Sequence, residues 1–185
     1  MITPWWYEVA NKFGRHCYIS QSLSGLKTTV LRKPITNVAQ NNFDAYEINK
    51  QLLLNQASTL EEAPGMVFFN ASGFTKQNFI RVVTQEVWTN KAKVPAMTWY
   101  KAPIQKPVTQ LKRSGQNVTW QHTADTVRYG VYAIPTDKRN DADVISSSKY
   151  YQGMSYTKSY TLDDSLTTDK FTMAVTPFDR FGDEW

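Results

Sequence analysis

The apolar positions in the first hundred residues fall into short continuous runs and into stripes with helical spacing. Residues 17–20 make a mostly apolar run, which predicts a short strand that ends in Gln21 and Ser22. Residues 65–69 make a continuous apolar run, which is typical of a strand buried on both faces of a parallel sheet. Residues 4–12 carry the pattern of an amphipathic helix that precedes the first strand.

Two more helices are predicted, one on each side of the second strand. The first begins after Asn42, a suitable N-cap, and ends within residues 57–62. The second is predicted to be capped by Thr75. Their apolar residues recur at helical spacing: Phe43, Tyr46, Leu53, Leu54 and Ala57 on the first helix with Ile48 and Leu52 beside them, and Phe79, Ile80, Val83 and Val87 on the second. The order helix, strand, helix, strand, helix implies parallel strands joined by crossover helices.

The second part of the chain has a different period. Residues 118–122, 127–134 and 171–176 alternate between apolar and polar positions, and turn residues bound each run. Several short strands without a helical stripe are typical of a β-sandwich.

Residues 101–107 separate the two patterns. They contain Pro103 and Pro107 and show no apolar periodicity, as expected of a linker between domains. We therefore predict two domains, an α/β segment at residues 1–105 and an all-β sandwich at residues 106–185.

Composition and charge narrow the range of functions. The 185 residues include 21 Lys and Arg against 16 Asp and Glu, and residues 1–105 hold all of the excess. The basic residues are scattered, whereas a nucleic-acid-binding surface usually clusters them, so no nucleic-acid partner is expected. One cysteine and two histidines make a metal site improbable, and no cofactor is predicted. No apolar run is long enough to predict a membrane span.

The second part resembles a fibronectin type III domain. Trp120 stands where such domains place the core tryptophan of their second strand, and residues 127–132 and 171–177 resemble their third and sixth strands. Phe171 stands where that family usually has a tyrosine, whose hydroxyl makes a hydrogen bond worth about 0.5–1.5 kcal/mol.

The whole chain resembles the C-terminal end of a bacterial glycosyl-hydrolase-like protein of the family-ten group. The resemblance is carried by segments in a characteristic order: residues 5–6, 18–22, 48–55, 65–70, 94–97 and 176–182. It implies that the α/β part is the incomplete end of a (β/α)₈ barrel and that the sandwich is a fibronectin-like tail. Such a parent protein would be secreted or held in the cell envelope, although this chain shows no signal peptide. The partial barrel would need a missing upstream barrel segment or would associate with itself.

The resemblance also implies a site, because barrel enzymes act at the carboxyl ends of their strands. Those positions hold Gln21, Ser22, Asn70 and Ser72, whose amides and hydroxyls suit the hydroxyl groups of a sugar. They are the predicted substrate-binding residues, with loop capping as the alternative role.

No catalytic residue is predicted, because glycoside hydrolysis uses two carboxyl groups and the acids lie in predicted helices or at their ends. These acids are Glu8, Asp44, Glu47, Glu61, Glu62 and Glu86. We therefore expect a carbohydrate-related fragment that is inactive alone. The alternatives are a non-catalytic carbohydrate-binding or surface adhesion module and, least favoured, a nucleic-acid binder.

Overall fold

A computed structural model describes residues 2–23, 26, 45–58, 65–100, 102–103, 106–123, 128–141 and 143–185. The chain divides into two compact units, Met1–Thr89 and Asn90–Trp185. The first unit mixes helices with a parallel pair of strands, and the second consists of antiparallel sheets.

The first unit has the predicted order of elements. In the described part of the chain these are α1 (Thr3–Lys12), β1 (Ile19–Ser22), α2 (Ala45–Ala57), β2 (Met66–Phe69) and α3 (Gln77–Glu86). The strands β1 and β2 pair in parallel, with Ile19 opposite Met66 and Ser22 opposite Phe69. The predicted order and strand direction are therefore confirmed. A short 3-10 helix, Ala71–Thr75, lies between β2 and α3, where a turn was predicted.

The β1–β2 sheet has one covered face and one open face. Met66 and Phe68 pack against the core that α2 and α3 supply. Val67 and Phe69 alternate to the other side, where their side chains are 52% and 65% exposed. The prediction that residues 65–69 are buried on both faces is therefore wrong, because no described element covers the second face.

Helix α2 presents a different face to the core from the one predicted. Ile48 and Leu52 are buried together with Asn55, at the spacing i, i+4, i+7. Leu53 and Leu54 are 45% and 51% exposed, so their assignment to the buried stripe is wrong. The buried face is the one that contacts α3. The predicted cap Asn42 and its neighbour Phe43 lie outside the described residues.

Helix α3 begins at Gln77, after Lys76, and no side chain caps it. The predicted cap Thr75 instead donates its hydroxyl to the carbonyl of Ser72, at 2.8 Å. Thr75 therefore closes the 3-10 turn. Of the predicted apolar residues of the helix, Phe79 and Val83 are buried.

The second unit consists of two three-stranded antiparallel sheets. Its strands are β3 (Thr109–Ser114), β4 (Asn117–Gln121), β5 (Arg128–Pro135), β6 (Tyr151–Ser155), β7 (Ser159–Thr161) and β8 (Phe171–Phe178). One sheet has the order β3-β4-β7 and the other has the order β6-β5-β8. The three predicted strands correspond to β4, β5 and β8.

One core joins the two sheets. It contains Val118 and Trp120 from β4, Val131 from β5 and Val175 from β8. The outer face of β5 is buried too, because Tyr132 and Ile134 pack with Val144 and Tyr151 in a second cluster. Strand β5 is thus covered on both sides, unlike the strands of the first unit.

The segment before β3 belongs to the second unit. Lys93 forms an ion pair with Glu184 at 2.8 Å, and the N–H of Met97 donates to the carbonyl of Phe181 at 2.8 Å. The ring of Tyr100 stacks on that of Phe181, with centroids 4.7 Å apart. The units therefore divide between Thr89 and Asn90, earlier than the predicted boundary at residues 105 and 106. Residues 91–97 form no helix or strand, and Met97 contacts the C-terminal turn at Phe181.

Candidate functional site

The predicted site lies where β1 and β2 end. Parallel strands present their carboxyl ends at the same edge, and here Ser22 lies opposite Phe69. The N–H of Leu23 donates to the carbonyl of Phe69 at 2.5 Å, so the two strands remain hydrogen-bonded one residue beyond Ser22. Asn70 follows directly and begins the 3-10 turn that contains Ser72. The structure thus brings Ser22, Asn70 and Ser72 to one end of the sheet.

Gln21 differs from the other predicted residues. Successive side chains of a strand point to opposite faces, so Gln21 lies on the covered face and Ser22 on the open one. Gln21 is paired in register with Phe68 and is half-buried, whereas Ser22 is exposed. Gln21 and Ser22 therefore do not share a face, as joint contact with one ligand would need.

Asn70 is held by Ser72. The side-chain oxygen of Asn70 accepts the backbone N–H of Ser72 at 3.0 Å and also the Ser72 hydroxyl. The Ser72 N–H and hydroxyl can donate to the oxygen of the Asn70 amide but not to its NH₂ group. These two bonds therefore determine the orientation of the Asn70 amide. The Nδ2 group of Asn70 makes no hydrogen bond to any residue that the structure describes. Asn70 therefore caps the 3-10 helix, and its Nδ2 group is a hydrogen-bond donor with a fixed direction.

The turn that carries Asn70 packs closely against β1. Gly73 is buried, and a Cβ atom there would lie 2.5 Å from Cδ1 of Leu23. Leu23 is itself fully buried. Only glycine fits this close approach, so the position of the turn depends on it.

The sequence analysis missed Phe69. Phe68 turns toward the core, where its ring lies 5.3 Å from Phe74 and 5.7 Å from Trp88. Phe69 turns to the open face and leaves a large aromatic surface exposed beside Ser22 and Asn70. The alternation of Ser20 and Ser22 on the neighbouring strand was the signal that could have revealed an open face.

The four described residues of the site are uncharged. Ser22, Phe69, Asn70 and Ser72 hold no group that transfers a proton near neutral pH. The described carboxylates of the first unit lie on helices: Glu8 on α1, Glu47 on α2 and Glu86 on α3. Asp44, Glu61 and Glu62 lie outside the described residues. Within the described ranges, no three His, Cys, Asp or Glu side chains come together to hold a metal ion. These four residues can contact a ligand through hydrogen bonds and an aromatic ring, but they cannot act as acid–base catalysts.

No family model, curated protein or solved structure matches the chain. In the described part of the chain, no helix has both the length and the apolar character needed to cross a membrane.

Proposed function

We propose that the chain is the C-terminal part of a glycoside-hydrolase-like protein that acts on or binds carbohydrate and whose catalytic carboxylates lie outside it. The first unit would be the last two strands of a (β/α)₈ barrel with their helices. The second unit would be a fibronectin type III-like sandwich. The parent would be a secreted or cell-envelope protein of a bacterium.

The parallel pairing of β1 and β2 is the observation that carries the proposal. Parallel sheets occur almost only with both faces covered, and here α2 and α3 cover one face only. Both strands also have a free edge in the described sheet, since each pairs only with the other. Further parallel strands from an upstream barrel segment would satisfy both edges and cover the open face. A second copy of the chain is the other candidate partner.

The second unit supports the proposal through its sheet order. Its first, second and fifth strands form one sheet and its third, fourth and sixth form the other. Strands that change sheets in this way are a feature of immunoglobulin-like and fibronectin-type sandwiches. Trp120, the residue that resembles the family's core tryptophan, is 4% exposed and packs at 5.2 Å from Tyr129.

The nucleotide sequence upstream of the Met1 codon tests the proposal. A (β/α)₈ barrel has about 250 residues, so we expect an in-frame extension of roughly 200 residues with alternating strand and helix patterns. A stop codon directly upstream, with no such extension, would overturn the barrel assignment. It would favour the alternative of a self-contained carbohydrate-binding or surface adhesion module, for which the closed core of the second unit is the supporting observation.

A panel of chromogenic glycosides tests the catalytic part of the proposal. The purified chain should release no chromophore, because its strand ends offer amides and hydroxyls in place of a carboxyl pair. Glu47→Gln is the informative variant. Glu47 lies on α2 and accepts a hydrogen bond from Gln51 at 3.1 Å. Turnover that disappears with Glu47→Gln would place catalysis on a helix and would contradict the proposal.

A further inference from the structure

We propose that Arg128 binds an oxyanion, a carboxylate or a phosphate group, at the end of the second unit where β5 begins and β6 ends. The inference goes beyond the proposed function, because it concerns the antiparallel unit and does not depend on a barrel. Arg128 is the first residue of β5 and is half-buried. Its guanidinium makes no hydrogen bond or ion pair with any residue that the structure describes.

Arg113 shows how the same unit satisfies a half-buried arginine from within the chain. Its Nη1 group donates to the carbonyls of Thr168 and Phe171, at 3.1 and 3.2 Å, and its Nη2 group pairs with Asp169 at 3.3 Å. Arg128 is half-buried as well but has no such acceptor among the described residues. Because buried donors are nearly always hydrogen-bonded, the unpaired guanidinium indicates an acceptor that the described residues do not supply.

The guanidinium of Arg128 is buried at one edge and accessible at the other. Its Nε–H is buried without an acceptor, whereas its Nη groups retain contact with solvent. Arg128 lies opposite Phe178 in register, so the two side chains share a face of the sheet, and Phe178 is buried. A ligand can therefore reach the Nη groups. Two Nη groups in one plane match the two oxygens of a carboxylate or phosphate.

Two tyrosines near Arg128 can add hydrogen-bond donors. Burial and the Glu184 carboxylate raise the pKa of Tyr151 to about 12, and the Arg128 charge acts against that rise, so the guanidinium lies near this phenol. Tyr156 directly follows the last residue of β6, at the same end of the sheet as Arg128, and is exposed. A guanidinium with phenol hydroxyls beside it suits an anion, because all of these groups can donate hydrogen bonds.

The acidic groups around Arg128 determine how the inference is tested. Glu184 also acts on Tyr151, but its two oxygens already accept hydrogen bonds from Lys93 and from two hydroxyl groups. It forms no ion pair with Arg128. Asp125 precedes Arg128 by three positions and lies outside the described residues. The experiment therefore includes a variant of Asp125.

The experiment titrates the whole chain with sodium D-glucuronate, inorganic phosphate and D-glucose, and follows the backbone amide signals by NMR. Low ionic strength is used, because salt screens charges that are accessible to solvent. We expect saturable millimolar binding of at least one anion, with shifts at the start of β5 and the end of β6. A response to one anion alone would identify that group as the ligand, and a response to both would identify a general oxyanion site.

Arg128→Gln should weaken anion binding about tenfold, because it removes a charged donor. Arg128→Lys should weaken it less, because it keeps the charge and loses only the planar pair of donors. Arg139→Gln is the matched control. Arg139 is exposed in the same unit, so its replacement changes the net charge equally and should leave binding as it is. The amide signals of β5 report whether each variant is folded.

Three outcomes would overturn the inference. The first is the absence of saturable shifts with both anions, or the same shifts with uncharged glucose. The second is unchanged anion binding by folded Arg128→Gln. The third is anion binding that appears only in Asp125→Asn, which would show that the Asp125 carboxylate already pairs with Arg128. Equal binding by Asp125→Asn and the unmodified chain would support the inference.

Discussion

The two units differ in how completely they cover their apolar side chains. Among the described residues, ten large apolar side chains of the first unit are exposed: Ile2, Trp5, Trp6, Phe13, Tyr18, Leu53, Leu54, Val67, Phe69 and Phe74. The second unit has five: Val94, Tyr100, Leu111, Tyr156 and Trp185. Both units have well-packed cores, so the difference concerns surfaces left without a partner.

Topology explains the difference. The second unit folds two antiparallel sheets onto each other, and each sheet covers the inner face of the other. The outer face of β5 is covered as well, because Tyr132 packs against Val144 and Tyr151. The first unit has a single parallel pair, and its helices cover one side only. A parallel pair of strands needs further elements to cover its second face, whereas two facing sheets cover each other's inner faces.

Phe79→Ala should have the largest effect and should act on the first unit alone. Phe79 is 1% exposed and lies 5.5 Å from Phe74 and 6.2 Å from Phe68. Truncating a buried phenylalanine costs about 3–5 kcal/mol, which a small unit with an open sheet is not expected to tolerate. Hydrogen-exchange NMR should show lost protection in α3 and retained protection in β5.

Leu53→Ala is the control for this change. Leu53 lies on α2 but is 45% exposed, so its truncation should cost much less. Loss of protection in β5 with Phe79→Ala would show that the units do not unfold independently and would contradict the comparison.

Lys93→Met should destabilise the second unit by an intermediate amount. Lys93 contacts Glu184 at 2.8 Å and donates to the carbonyl of Ile145 at 3.0 Å, with about a fifth of each charged side chain exposed. Glu184 also accepts the hydroxyls of Tyr132 and Thr176. Removing the cation should cost about 1–3 kcal/mol, because the carboxylate stays partly buried without its counter-charge. Faster amide exchange in β5 would measure it.

Lys138→Met is the matched control for Lys93→Met. Lys138 pairs with Asp141 at 3.6 Å, and half of each side chain is exposed. Such a surface pair contributes little, so exchange in β5 should stay nearly unchanged. Equal effects of the two variants would show that residues 90–100 do not stabilise the second unit.

Alkaline pH should weaken the second unit, whereas at neutral pH this effect is absent. Burial, followed by the nearby Glu184 carboxylate, raises the pKa of Tyr151 to about 12. An unfolded tyrosine has a pKa near 10, so the folded state favours the neutral phenol. That stability is fully present below about pH 10 and is lost as the pH rises toward about 12. Burial also raises the pKa of Tyr132.

Tyr151→Phe should therefore flatten the fall in unfolding free energy above pH 10. One tyrosine contributes up to about 1.4 kcal/mol per pH unit between its two pKa values. Denaturant titrations between pH 10 and pH 12 measure this slope. Identical slopes in the unmodified protein and in Tyr151→Phe would contradict the role of burial at Tyr151.

Sequence reasoning succeeded where local pattern and structure agree. Alternation predicted β4, β5 and β8, and the order of elements predicted the parallel pairing of β1 and β2. It also placed Ser22, Asn70 and Ser72 at one edge, because the ends of parallel strands coincide. It did not show that Gln21 lies on the opposite face from Ser22, since the pleat alternates neighbouring side chains, and it did not single out Phe69 within a continuous apolar run.

The sequence by itself determined the kinds of elements and their order, because hydrophobic periodicity is a local property of the chain. The tertiary structure decided which apolar face each element buries. It selected Ile48 and Leu52 over Leu53 and Leu54 on α2, and it left the Val67 and Phe69 side of β2 open. It also assigned residues 90–100 to the second unit through contacts with the C-terminal turn. These outcomes depend on contacts with segments that are distant in sequence, and a local hydrophobic pattern does not specify which segments those are.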